Sequence, residues 1–114
     1  MTDPRTQWHK IADSADLEEE DVIEAEVDGV VVAAYRLADG SVYATAGICS
    51  HEYARLCEGL VLDGQIECPK HQGRFDVRDG RATASPASAE LETFPARDDG
   101  SAVYVDVRSR SAAR

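Results

Sequence analysis

Two short loops constrain this chain more than anything else in it. Cys49-Ser50-His51 and Cys68-Pro69-Lys70-His71 each bring one thiol and one imidazole close together, with 16 residues between the two pairs. The chain has three cysteines and three histidines, so these loops hold four of the six. A lone cysteine is usually a small buried hydrophobe. Two matched Cys–His loops are better explained as metal ligands, for zinc or for an iron–sulfur centre. The ligand order separates these. Zinc modules commonly take a cysteine pair from one loop and a His or Cys pair from the other. A two-iron cluster with two Cys on one iron and two His on the other takes one ligand of each kind from each loop.

The rest of the chain reads as β structure. Asp-Gly occurs at Asp28-Gly29, Asp39-Gly40, Asp63-Gly64, Asp79-Gly80 and Asp99-Gly100, and this dipeptide supplies the positive φ angles of tight hairpin turns. Between the turns lie strand-like runs at 22–27, 30–37, 41–45, 74–77 and 102–107. Short strands with regular turn signals predict an antiparallel sandwich or barrel. No stretch has the apolar stripe of a packed helix. Residues 82–90 read as a surface loop around Pro86, and 108–114 as a frayed basic tail. At 114 residues a single domain is expected, 1–114.

Charge and cysteine usage exclude several roles. The formal net charge is −10, which opposes nucleic acid and anionic membrane as partners. An acidic carrier can be steered to a basic partner, with modest and salt-sensitive affinity. Nine acidic residues and no Lys or Arg lie between Ile11 and Tyr35, a solvated face or a docking surface. An odd number of cysteines does not form a disulfide framework. The first ten residues lack a signal peptide's apolar core, and no run approaches a membrane span. A cytoplasmic setting is expected.

The motif "CSH" at 49–51, with "ECPKHQGRFDVRDG" at 67–80 and the flanks "AGICSHEYARL", "EGLVLDGQIE" and "ETFPARDDGSAVYVDV", resembles the Rieske-type [2Fe–2S] ferredoxins. The likeness runs from about Trp8 to Val107. It implies an all-β Rieske fold, a β-sandwich base topped by a cluster-binding subdomain at about 45–80. It also implies one [2Fe–2S] cluster, with Cys49 and Cys68 on the inner iron and His51 and His71 on the outer. The family often has Gly at the position of Gln72, where a positive φ would strain glutamine slightly. The loop ends imply a docking rim of Glu52, Tyr53, Lys70, Gln72 and Arg74 around the two histidines.

The respiratory type of this family carries one extra Cys in each cluster loop, forming a disulfide; Ala54 and Lys70 stand at those positions. Cys57 then has no partner cysteine and reads as a packed or partly exposed thiol. Soluble low-potential members carry electrons from a flavin-containing NAD(P)H-dependent reductase to a terminal Rieske oxygenase, without turnover of their own, and monomeric behaviour is expected. A mononuclear iron oxygenase site needs two His and a carboxylate, whereas only His9 remains beyond the loops. No G-x-G-x-x-G or βαβ pattern offers a dinucleotide fold. Two rival readings share the motif: the small Rieske-like subunit of an assimilatory nitrite reductase, and a zinc-stabilised interaction module.

The respiratory type also has a Ser and a Tyr whose hydroxyls donate toward the cluster sulfurs. Gly73 and Phe75 take their places here, so the reduced cluster is less stabilised. Redox titration is expected to give a midpoint at the low end of the Rieske range, about −150 mV rather than about +300 mV. A midpoint clearly above zero contradicts this reading.

Overall fold

Paired backbone carbonyls and amides dominate the structure, a computed structural model that describes residues 7–48, 54–69, 73–84 and 90–107. The strands, in order, are β1 (His9–Asp13), β2 (Asp21–Val27), β3 (Val30–Arg36), β4 (Val42–Ala46), β5 (Leu60–Leu62), β6 (Gln65–Glu67), β7 (Arg74–Asp76), β8 (Ala82–Ala84), β9 (Thr93–Phe94), β10 (Ala96–Asp98) and β11 (Ala102–Val105). All named pairings are antiparallel. Single 3-10 turns at Ser14–Asp16 and Leu56–Glu58 are the only helical elements among the described residues. Of the segment "ADLEEEDV" (15–22), the first two residues end a 3-10 turn, the next four connect, and Asp21 and Val22 begin β2. No helix of the described residues is long and apolar enough to cross a membrane.

Three sheets form three layers. Their strand orders are β1-β11-β10, β2-β3-β4-β9 and β5-β6-β7-β8. The middle sheet is buried on both faces because β3 alternates its loyalties. Val32 packs with Ala44, Phe94 and Val105, and Ala34 with Leu17 and Val103, toward the first sheet. Ala33 and Tyr35 belong instead to a core with Val61, Ile66, Cys68, Phe75 and Val77 from the third sheet. A near-continuous apolar run is what a strand covered on both faces requires, and "VVVAAYRL" supplies it. The first two sheets are the sandwich base. The third sits over the base and carries the second cysteine–histidine loop.

The hairpin turns follow their sequence signal. Asp28 and Gly29 (φ 51° and 79°) close β2 onto β3, and Asp63 and Gly64 (56° and 77°) close β5 onto β6. Both are two-residue loops with two positive φ angles, the geometry whose twist matches the flanking strands. The base is pinned by Arg36. Its guanidinium donates to Leu17 O (2.7 Å), Gly40 O (2.9 Å) and the carboxylate of Asp98 (2.8 Å). The Gly100 amide, the Ser14 hydroxyl and Arg36 hold the Asp98 carboxyl below its ordinary range.

Short strands escaped the sequence reading. Residues 82–84 form β8 against β7, not the start of a surface loop; residues 85–89 lie outside the described set. Three small residues have no periodicity to display, and the pairing is irregular between Arg74 and Phe75. β5, β6, β9 and β10, of two or three residues each, were missed for the same want of length. His9 opens edge strand β1, with Nε2 3.4 Å from Asp28 Oδ2. Trp8 precedes that strand, only half-buried, with the Arg97 guanidinium 5.7 Å from its ring centre.

The buried Tyr35 hydroxyl lies 2.7 Å from Thr45 Oγ1, which itself donates to Ala46 O at 2.8 Å. Tyr35 is therefore the donor of the pair, and burial pushes its phenol pKa upward. Urea unfolding should show Tyr35→Phe losing about 1 kcal/mol. Thr45→Val should lose more, about 1–3 kcal/mol, because it strands a buried hydroxyl.

Candidate metal centre

Both ligand loops are built as hairpin ends. β6 and β7 pair Glu67 with Arg74, and the next rung is closed by Cys68 N–H donating to Gly73 O at 2.8 Å. The chain between, 69–72, must turn back within four residues. Pro69, a turn residue, opens that segment. The first loop is closed in the same manner. Ile48 bridges Arg55, and Leu56 N–H donates to Gly47 O at 2.9 Å. Gly47 is in turn anchored to β3 through Val31 O at 2.9 Å. Each loop base is therefore locked by backbone bonds before any side chain contributes.

Cys68 is fully buried, as are Leu56, Ile66, Phe75 and Ala54 in the same apolar group. Ala54 follows directly on the first loop and Cys68 opens the second. One core thus brings the closing end of one loop to the opening end of the other. A thiol seated at a loop base, in apolar surroundings and away from water, fits the inner-iron ligand that the motif requires. Cys49, His51 and His71 lie outside the described residues, as do the rim residues Glu52, Tyr53, Lys70 and Gln72 and the strain expected at Gln72. Accordingly, no group of three or more His, Cys, Asp and Glu forms a metal site among the described residues. Arg74, the remaining rim residue, is exposed and pairs with Glu67 at 3.3 Å.

The positions that distinguish the two kinds of Rieske protein are partly on view. Ala54, in place of a disulfide cysteine, fills the core. Gly73 and Phe75, in place of hydroxyl donors, are buried, and the Phe75 ring packs in the same core as Cys68.

Sequence reasoning missed a charged strut beneath the first loop. Arg55 donates from Nε to Glu24 Oε1 at 3.1 Å and from Nη2 to Glu24 Oε2, a two-bond fork from the loop's exit to β2 of the base. Forked Arg–carboxylate pairs fix geometry as well as charge. The fork holds the Glu24 carboxyl below its ordinary range. Cys57 Sγ lies 3.6 Å from the same carboxylate. Burial first, and then Glu24, push the thiol pKa up, so Cys57 is a packed, protonated thiol. Pairing across 31 residues has no local signature that could have announced it.

Comparison with known proteins accords with this geometry. Residues 7–95 match the Rieske [2Fe-2S] domain. The chain is 37% identical over 101 residues to the ferredoxin component of the naphthalene 1,2-dioxygenase system of Pseudomonas aeruginosa, covering 89% of this chain and 96% of that one. Among solved structures it is similar to the ferredoxin of carbazole 1,9a-dioxygenase from Nocardioides aromaticivorans IC177. There the identity is 35%, the TM-score 0.81, and the coverage 88% and 97%. It is also similar to a chain in a complex of reduced oxygenase and oxidized ferredoxin in carbazole 1,9a-dioxygenase, with 33% identity, TM-score 0.80, and coverage of 87% and 92%.

Gly59 gives the second loop a steric dependence. A Cβ there would stand 2.1 Å from Glu67 O, the carbonyl preceding Cys68. Gly59→Ala should displace that strand end, cost about 1–3 kcal/mol and lower the iron retained per chain on purification. Full iron content with unchanged unfolding would contradict it. The match over residues 7–95 and the close relatives establish the chain as a member of the Rieske [2Fe-2S] family, carrying a Rieske-type two-iron cluster.

Proposed function

We propose that this chain is the ferredoxin component of an aromatic-ring dioxygenase system, a one-electron carrier from a flavin-containing NAD(P)H-dependent reductase to a terminal Rieske oxygenase. The observation that carries the reading is the pair of hairpin loops with backbone-locked bases and a buried Cys68 at one of them. The family's cluster supplies a site that gains and loses one electron. Cys49, Cys68, His51 and His71 would hold it, the cysteines on the inner iron and the histidines on the outer.

The chain's own residues supply the setting. The Cys68 thiolate is kept from water by Leu56, Ile66 and Phe75. The Glu24–Arg55 fork steadies the exit of the first loop. Phe75, lacking a hydroxyl, contributes no donor. A monomeric, cytoplasmic protein of one domain, 1–114, follows from the reading. The carrier role is favoured over a nitrite reductase subunit because the curated relatives matched here are named as ferredoxin components of dioxygenase systems.

The test pairs spectroscopy with reconstitution. Purified protein should hold about two irons and no zinc per chain, and dithionite should bring up a reduced-state EPR signal of low average g. Cys68→Ser should lose the iron. With the source organism's ferredoxin reductase and terminal oxygenase, wild-type protein should sustain NAD(P)H-dependent ring hydroxylation that stops when it is left out. Colourless protein containing zinc would return the loops to a structural role. Co-purification in a fixed complex with a sirohaem reductase would replace the carrier with the subunit.

A further inference from the structure

Leu60 and Leu62 are the exposed large hydrophobics among the described residues, at 58% and 54% of their full accessibility. They share one strand and one face: between them, Val61 points into the core. Their strand, β5, is the outer edge of the third sheet. On the same open face, Leu60 stands opposite Glu67 and Leu62 opposite Gln65, and Glu67 pairs onward with Arg74. Leu60, Leu62, Asp63, Gln65, Glu67 and Arg74 line a shallow concavity.

Position makes the pair notable. Leu60 is in register with the residue immediately before Cys68. Directly opposed residues in an antiparallel pair are about 4.5–5.5 Å apart, so this apolar edge lies one strand from the loop that carries Cys68 and His71. Electron transfer weakens steeply with distance, and a partner seated here would lie close to the cluster. Arg74, already expected at the docking rim, is a wall of the same concavity.

Charge favours the same end of the molecule. Residues 45–84 contain six acidic and five basic residues, whereas the rest of the chain has sixteen acidic and seven basic. The negative charge is concentrated on the base. Near the concavity Arg74 is neutralised by Glu67 and Arg78 by Asp76. An acidic partner would be repelled by the base and tolerated at the third sheet. A face with little net charge and an apolar centre matches a partner surface of the same kind, through burial rather than ion pairing.

We propose that Leu60 and Leu62 form the apolar centre of the surface that docks the electron acceptor, a protein presenting a weakly charged apolar patch beside its own redox centre. The proposal rests on the carrier reading, in which that acceptor is the terminal oxygenase. The matched structure of a ferredoxin in complex with its oxygenase puts the acceptor ahead of the reductase as occupant. Salt acts on the long-range approach of the acidic base and leaves the leucine contribution in place.

The experiment compares wild-type holoprotein with L60T/L62T, threonine keeping the strand preference of an exposed β position. Midpoint potential, EPR spectrum and iron content should be unchanged. The ferredoxin KM in reconstituted oxygenase turnover should rise about tenfold or more, at low and at high salt, with kcat preserved and reduction by the reductase unaffected. E18Q/E19Q, on the base, should leave that KM within about twofold. An unchanged KM for L60T/L62T beside an active wild type overturns the docking surface alone. So does a defect confined to the reductase step, or a wild-type dimer in light scattering that L60T/L62T abolishes. Wild-type protein that transfers no electron to the oxygenase overturns the carrier reading, and this surface with it.

Discussion

The structure depends on one backbone bond more than on any side chain: the Cys68 amide to the Gly73 carbonyl. It extends the β6–β7 ladder one rung beyond the regular strands and forces the next four residues to reverse. Without that rung the connection would run over 68–73 rather than 69–72. With it, a buried thiol is fixed at the edge of the apolar core. The first loop repeats the device through Gly47 and Leu56. The bases of both loops are therefore organised by the sheets beneath them. Ordering backbone costs about 1–2 kcal/mol per residue, and at the loop bases the sheets meet that cost.

The ligand motif was legible because its information is local and chemical. Cys49, His51, Cys68 and His71 announce themselves by residue type and spacing, with no knowledge of packing. The longer strands were legible for a related reason. β2, β3 and β4 are long enough to show apolar patterning, the run at 102–107 alternates around β11, and three of the five Asp-Gly turns, at 28–29, 39–40 and 99–100, mark their ends. Strands such as β9, with two residues, have no period to read. They exist because a neighbouring strand offers unpaired carbonyls and amides, a property of the assembled sheet. The placement of β8 in what looked like a loop has the same origin.

Long-range pairings were the other blind spot. The Glu24–Arg55 fork and the Arg36–Asp98 pin join segments far apart in sequence, and each residue alone reads as ordinary surface charge. The acidic run from Ile11 to Tyr35 shows how composition misleads when it is averaged over the chain. One of its members, Glu24, is committed to the strut under the first loop. The rest give the base a negative charge that the cluster-bearing sheet does not share.

The double burial of β3 has a consequence for the life of the molecule without its iron. Ala33 and Tyr35 are roofed by strands of only three residues, themselves tied to the ligand loops. When those loops open, the roof loosens, and the middle sheet presents a bare apolar strip ending in a phenol that has no water-facing role. The sandwich base alone would then be an incomplete object, with one face designed for contact and nothing on it. Iron supply and colloidal stability are coupled in such an architecture: the chain that loses its iron loses its electron at once, and a loosened roof adds stickiness to that loss.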